Sequence, residues 1–316
     1  MLKRKALRKI IITTFSFLTV FVICIIPEKL NNNYLDPEID IEYVTNVGTN
    51  EIYLLGSNKY LVKTNVLINE DDLNTKIRGI IEYLTVQKSS KVPNGLSGII
   101  PSNTKLNNIE INDKIIILDF DSHLLDVSLD LEERMIEAIT YSLISLDGVE
   151  GVTIKIDGNI LTELPKCKKQ IPEVLNRNFG INKVFDIDSL NGIKKVTLYY
   201  LDEISNNSYY VPVTKYLNDD REKINIIIDN LAGHYIYETS LMSLLNQDTE
   251  LINYQIEDEI MTLNFNNSIF TNDKLLEEVT YTISESIFDT YDVKSVVFQV
   301  EGESILTKSC CNIKED

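Results

Sequence analysis

One long pattern occurs twice in this chain. Residues 98–125 read GIIPSNTKLNNIEINDKIIILDFDSHLL, and residues 243–270 read SLLNQDTELINYQIEDEIMTLNFNNSIF. The segments align without a gap, and eight of the 28 positions are identical: Thr104/Thr249, Leu106/Leu251, Asn108/Asn253, Ile111/Ile256, Asp113/Asp258, Ile115/Ile260, Leu118/Leu263 and Phe120/Phe265. Others exchange like for like, as do Asp119/Asn264 and Asp121/Asn266. In each copy a polar step, N-D or E-D, divides two β-rich runs: Ile109–Ile111 from Ile115–Phe120, and Tyr254–Ile256 from Ile260–Phe265. Two apolar runs around a polar turn predict a hairpin. The usual glycine after the Asp is missing.

The likeness extends both ways. Upstream, Ile77, Ile80, Ile81 and Leu84 repeat at i, i+3, i+4 and i+7, as do Ile224, Ile227, Ile228 and Leu231, which makes one apolar helical stripe in each copy. Before each stripe come two candidate strands, near residues 52–55 and 60–68 in one copy and 196–201 and 209–217 in the other. Downstream, Leu131, Met135, Ala138, Ile139, Ser142 and Leu143 keep helical spacing, matched by Leu276, Val279, Thr282, Ile283, Ser286 and Ile287. Each copy closes on a strand and a turn glycine, at 152–158 and 296–302.

Each copy therefore reads strand, strand, helix, hairpin, helix, strand. The expected class is α/β (α+β): two similar small domains, each a mixed β-sheet backed on one face by two helices. Each copy spans roughly 110 residues, a domain's length and well beyond the roughly 20–50 of a solenoid repeat. The expected organisation is a basic stub and membrane anchor (1–29), a spacer (30–49), domain 1 (50–160), a linker (161–194), domain 2 (195–308) and a tail (309–316).

The anchor is read from Lys3, Arg4, Lys5, Arg8 and Lys9, which precede the uncharged run Ile10–Ile26. Such a segment is a signal peptide or an anchor. The run is at the short end of the spanning range, but Ile25, Ile26 and Pro27 follow instead of a small-residue cleavage site, which favours a retained single-pass anchor. The cations place the N-terminus in the cytoplasm and the bulk of the chain outside the cell membrane. Cys24 lacks the small residues a lipobox needs, having Val22 and Ile23 before it.

The formal net charge is −18, from 30 Lys and Arg against 48 Asp and Glu. Since the N-terminal stub is basic, the exported part is more acidic still. Phosphate recognition needs cations, so nucleic acid is not an expected partner. Anionic lipid is disfavoured on the same ground. Basic protein partners or bound cations would suit this surface, and so would plain solvation. The linker runs against the trend, with Lys166, Lys168, Lys169 and Arg177; it could be a docking strip or, by default, a solvated connector. Of the exported cysteines Cys167, Cys310 and Cys311, one pair could form a bridge, and their spacing offers no zinc site.

No catalytic constellation emerges. His123 and His234 do not align with each other. Asp119 and Asp121 share one strand face and could bind a cation or serve glycoside hydrolysis, yet their counterparts are Asn264 and Asn266, which cannot act as acid or base. The Asp71–Asp72 and Glu132–Glu133 pairs open predicted helices, where the helix dipole accounts for them. Catalytic, cofactor-binding and metal residues are accordingly expected to be none.

The pieces YYVPVTKYL (209–217), GLSGIIPSNTKL (95–106), the V-x-I-x-I-D-G close (152–158) and NFGIN (178–182) give a chain that resembles the GerM-like sporulation and spore germination proteins with tandem GerMN domains. The resemblance covers roughly residues 50–308, rests on diffuse hydrophobic patterns, and carries no catalytic signature. It implies a non-enzymatic role between mother cell and forespore, with modules similar to the ring-building motifs of secretion-like machines. Implied partners are envelope or sporulation-channel proteins, in an oligomer or ring. Three departures stand out: a membrane anchor instead of a lipid, Asn246 opposite Pro101, and no Gly-Pro after the first helix. Two other readings remain beside this one: a general extracytoplasmic ligand- or cell-wall-binding module, and an envelope hydrolase using Asp119 and Asp121.

Overall fold

The computed structural model describes residues 49–69, 72–87, 91–233 and 239–310. The expected anchor, almost all of the spacer, His234 and Cys311 lie outside the described residues. No helix among the described residues is long and apolar enough to cross a membrane.

The first copy runs β1 (Thr49–Leu55), β2 (Leu61–Leu67), α1 (Leu73–Leu84), β3 (Leu106–Asn112), β4 (Ile115–Phe120), α2 (Glu132–Ile144), β5 (Gly151–Ile156) and β6 (Asn159–Ile160). A short strand, β7 (Val184–Asp186), lies in the linker. The second copy runs β8 (Ile193–Ile204), β9 (Asn207–Asn218), α3 (Lys223–Ala232), β10 (Leu251–Glu257), β11 (Ile260–Phe265), α4 (Glu277–Phe288), β12 (Ser295–Val300) and β13 (Glu303–Ser309). The expected order of elements is present in both copies.

Local chemistry explains the elements. Asp72 opens α1 by accepting the Thr75 N–H at 2.9 Å. Both predicted helical stripes are buried: Ile77, Ile80, Ile81 and Leu84 on α1, and Ile224, Ile227, Ile228 and Leu231 on α3. Both hairpins close in two-residue turns, since Asn112 pairs with Ile115 and Glu257 with Ile260. Such turns need left-handed backbone. Asp113 supplies it at φ 53°, and Asp258 and Glu259 at 49° and 62°. Asp tolerates this region better than most residues, so the missing glycine is no obstacle. Even the register irregularity is duplicated, between Leu106 and Asn108 and again between Leu251 and Asn253.

The strands divide into three sheets. Each copy's later strands make a mixed four-stranded sheet, β3-β4-β5-β6 or β10-β11-β12-β13, with the middle pair parallel. The first hairpins leave their own copies and form one shared sheet, in which β2 of the first copy meets β9 of the second at Lys63 and Tyr210. Beyond backing its own sheet at β5, α2 also packs against β1 of the shared sheet and is buried on nearly every side. Matching hydrogen bonds fix the two long helices: Ser142 Oγ accepts the Tyr53 N–H and Ser286 Oγ accepts the Tyr199 N–H, both at 2.9 Å. A single hydrophobic core runs through both copies.

Candidate functional site

A cluster of partly buried charges lies where the copies join. Lys63 on β2 makes ion pairs with Glu51 at 2.7 Å and with Glu285 of α4 at 2.8 Å. Its side chain is 10 % exposed, so the pairs sit away from bulk water. Burial alone would depress the ammonium, but Tyr53 and then the Glu51 and Glu285 carboxylates outweigh it and hold Lys63 well above the usual lysine range. Burial pushes the Glu285 carboxyl up against the pull of Lys63. With Lys63 charged and both carboxylates in contact, the ion-paired state is the one the geometry supports. Tyr210 and Tyr281 stack beside it with centroids 4.0 Å apart.

A second link runs through the linker. Arg177 pairs with Asp289 at the end of α4, and Asp289 also accepts the Tyr199 hydroxyl at 2.8 Å. Burial keeps the Tyr53 and Tyr199 hydroxyls well above the usual tyrosine range, so both stay protonated donors. Tyr53 donates to Glu51 at 2.9 Å.

Asn182 makes the third link. It is fully buried. Its Oδ1 accepts the Leu61 N–H at 2.9 Å, and its Nδ2 donates to the carbonyls of Leu61 at 2.8 Å and Pro212 at 2.7 Å. Proline cannot donate to a strand ladder. Pro212 lies on β9 between the Tyr210 bridge to β2 and the β7 pairing that starts at Lys215. The Asn182 amide fills that gap between the copies.

The linker is thus no solvated connector. Leu164, Ile171, Leu175 and Ile181 are buried. Its cations are met by the molecule's own acids: Lys169 and Lys183 pair with Glu133. Glu132 accepts the N–H groups of Lys166 and Cys167 at 3.0 and 2.8 Å. Glu137, whose carboxyl burial pushes up, accepts the Asn182 N–H at 2.9 Å. The dipole account of Glu132 and Glu133 is therefore incomplete, because these acids also seat the linker. Edge pairing explains its path. In the second copy β13 borders β12 along its whole length. In the first, β6 pairs only Lys155 and Ile156, the chain departs, and Leu175 returns to exchange two 2.8 Å hydrogen bonds with Val152.

The carboxylates proposed for hydrolysis have structural partners. Asp119 accepts the Gly158 N–H at 2.8 Å, and Asn264 accepts the Gly302 N–H at 2.9 Å. Asp121 accepts the Lys105 N–H at 3.0 Å, and Asn266 accepts the Glu250 N–H at 3.1 Å. Asp and Asn do the same work because each offers an acceptor oxygen. Asp121 Oδ2 also lies 2.9 Å from His123 Nδ1. No group of three or more metal-ligating side chains occurs among the described residues. Cys167 and Cys310 are free thiols.

Sequence reasoning marked Arg177 and the NFGIN stretch but missed Lys63, Glu285 and Asp289. Their one signal was a charge in or beside otherwise apolar strand and helix faces.

Comparison with known proteins agrees with this architecture. The family described as "Germane: Sporulation and spore germination" matches residues 51–162 and 197–306, one match per copy. The chain is 30% identical over 266 residues to the spore germination protein GerM of Bacillus subtilis (strain 168), covering 81% of this chain and 72% of that protein. The solved tandem GerMN domains of the Bacillus subtilis sporulation protein GerM superpose with a TM-score of 0.75 at 28% identity, over 81% of this chain and 91% of that one. With both copies matched, the chain belongs to the Germane family of sporulation and spore germination proteins.

Proposed function

We propose that this protein is a membrane-anchored, extracytoplasmic structural component of the envelope complex between mother cell and forespore, needed for spore formation and germination, and that it works by surface and shape without catalysis. The observation that carries this reading is the Asp-to-Asn exchange at 119/264 and 121/266. The repeated motif keeps an acceptor for its own backbone in both copies and keeps an acid in only one. The buried charges hold module to module, which suits a rigid two-module body offered to envelope or sporulation-channel proteins in a ring or other oligomer.

The test is made in the host. The gene is deleted and a C-terminal fluorescent fusion is restored. Enrichment at the septum or engulfing membrane, with failed spore development in the deletion, is the expected result. Asp119→Asn should restore sporulation fully; a variant that folds but fails would return the hydrolase. A second reading, an extracytoplasmic ligand-binding module outside sporulation, is favoured by the groove described next. Uniform membrane signal with normal spores would select it.

A further inference from the structure

The first module carries an open groove of about 670 Å³ between α1 and the start of β3. That is within the roughly 300–1,000 Å³ of small-molecule sites. Arg78, Glu82 and Lys105 supply its charge, Ile81 and Leu106 its apolar wall, and Thr104 part of its lining.

Three features set it apart. First, neither Arg78 nor Lys105 has a side-chain ion-pair or hydrogen-bond partner among the described residues, in a protein of net charge −18 whose other cations at the seam and linker are paired. Second, the Thr104 hydroxyl is buried without a partner, whereas its counterpart Thr249 donates to the Ser268 carbonyl at 3.2 Å. An unmet buried hydroxyl is costly. Third, the matching positions of the second module carry no cation. Arg78 corresponds to Asn225 and Lys105 to Glu250, while Glu82 corresponds to Asp229. The shared scaffold therefore does not require these cations.

We infer that this groove binds a small anionic ligand through a carboxylate or phosphate group. Arg78 offers the planar fork that such groups accept in bidentate fashion, and Lys105 adds a point charge. Ile81 and Leu106 take the ligand's apolar body. Glu82 opposes an anion and limits how much charge the site accepts.

The test is calorimetric titration of the full-length chain in neutral detergent at low ionic strength. The probes are inorganic phosphate and N-acetylmuramic acid, a carboxylate-bearing sugar. Saturable binding of either is expected, and the probe that binds assigns the group recognised. The double variant Arg78→Asn with Lys105→Glu, which copies the second module, should bind at least tenfold more weakly. Both side chains are exposed, so its thermal unfolding should match wild type. Glu82→Gln should tighten binding severalfold. No saturable binding of either probe, equal affinity in the double variant, or no tightening in Glu82→Gln would overturn the site.

Discussion

At position 119 the first module has Asp and at the matching position 264 the second has Asn, yet both oxygens hold the N–H of a turn glycine. At 78 and 105 the first module has Arg and Lys, and the second has Asn and Glu on an equivalent frame. The duplicated features are those the backbone and core require: the stripes, the left-handed turn, the register irregularity, the helix-to-strand hydroxyl bond. The diverging cations at 78 and 105 are exposed. The comparison separates what this fold needs from what each copy is free to offer.

The sharpest test of the shared part is a matched pair, Phe120→Ala and Phe265→Ala. Both rings are fully buried at the end of a central strand. Each substitution should cost about 3–5 kcal/mol from lost transfer energy plus cavity, read by urea unfolding. If one costs under half as much as the other, the two cores are not equivalent and the comparison breaks.

The seam should respond almost as strongly. Lys63→Met leaves Glu51 and Glu285 as partly buried carboxylates without their cation, and the loss should approach the roughly 3–5 kcal/mol of breaking a buried pair. Unfolding should also divide into two transitions, since the substitution strikes where one module meets the other. A loss below about 1 kcal/mol, in line with exposed ion pairs, would mean that water reaches the seam.

Asn182→Ala removes three buried hydrogen bonds and also places Ala at φ 49°, a left-handed backbone that Asn tolerates better. Leaving buried backbone groups unmet costs about 1–3 kcal/mol. No second-module residue can stand in, because this amide belongs to the linker. Hydrogen exchange at the Leu61 N–H should accelerate along with the loss of stability. Unchanged protection there would show that β2 and β9 hold together without it.

These contrasts mark what the sequence could reveal. Periodicities of 3.6 and 2 reach only to near neighbours, and they located the helices and hairpins of both copies. The shared sheet escaped because Lys63 and Tyr210 pair across a long stretch of chain through a single bridge. Repetition also misleads on this point: identical patterns suggest two self-contained sheets, while the first hairpins pair across copies. The linker looked like a loop because Pro165, Pro172 and Gly180 break regular structure. Its order comes from distant acids on α2, which propensity does not register. Glu132 and Glu133 had an adequate local explanation, so nothing in the sequence prompted a search for a second.

The smallest expected effect probes the Asp/Asn exchange itself. The Lys105 N–H, with His123 beside it, holds the Asp121 carboxyl below its ordinary value. A carboxyl depressed on folding contributes stability above its unfolded value, near 4, and loses it as pH falls through the folded one. Asn266 has no such proton to take up, so only the first module carries this acid sensitivity. Asp121→Asn should therefore lower the melting temperature by no more than about 2 °C at pH 7, since the amide oxygen still accepts the Lys105 N–H. The gap between variant and wild type should narrow as pH falls below about 4. A gap that stays constant across that range would mean that Asp121 acts only as an acceptor. The first module would then be as indifferent to charge at this position as the second.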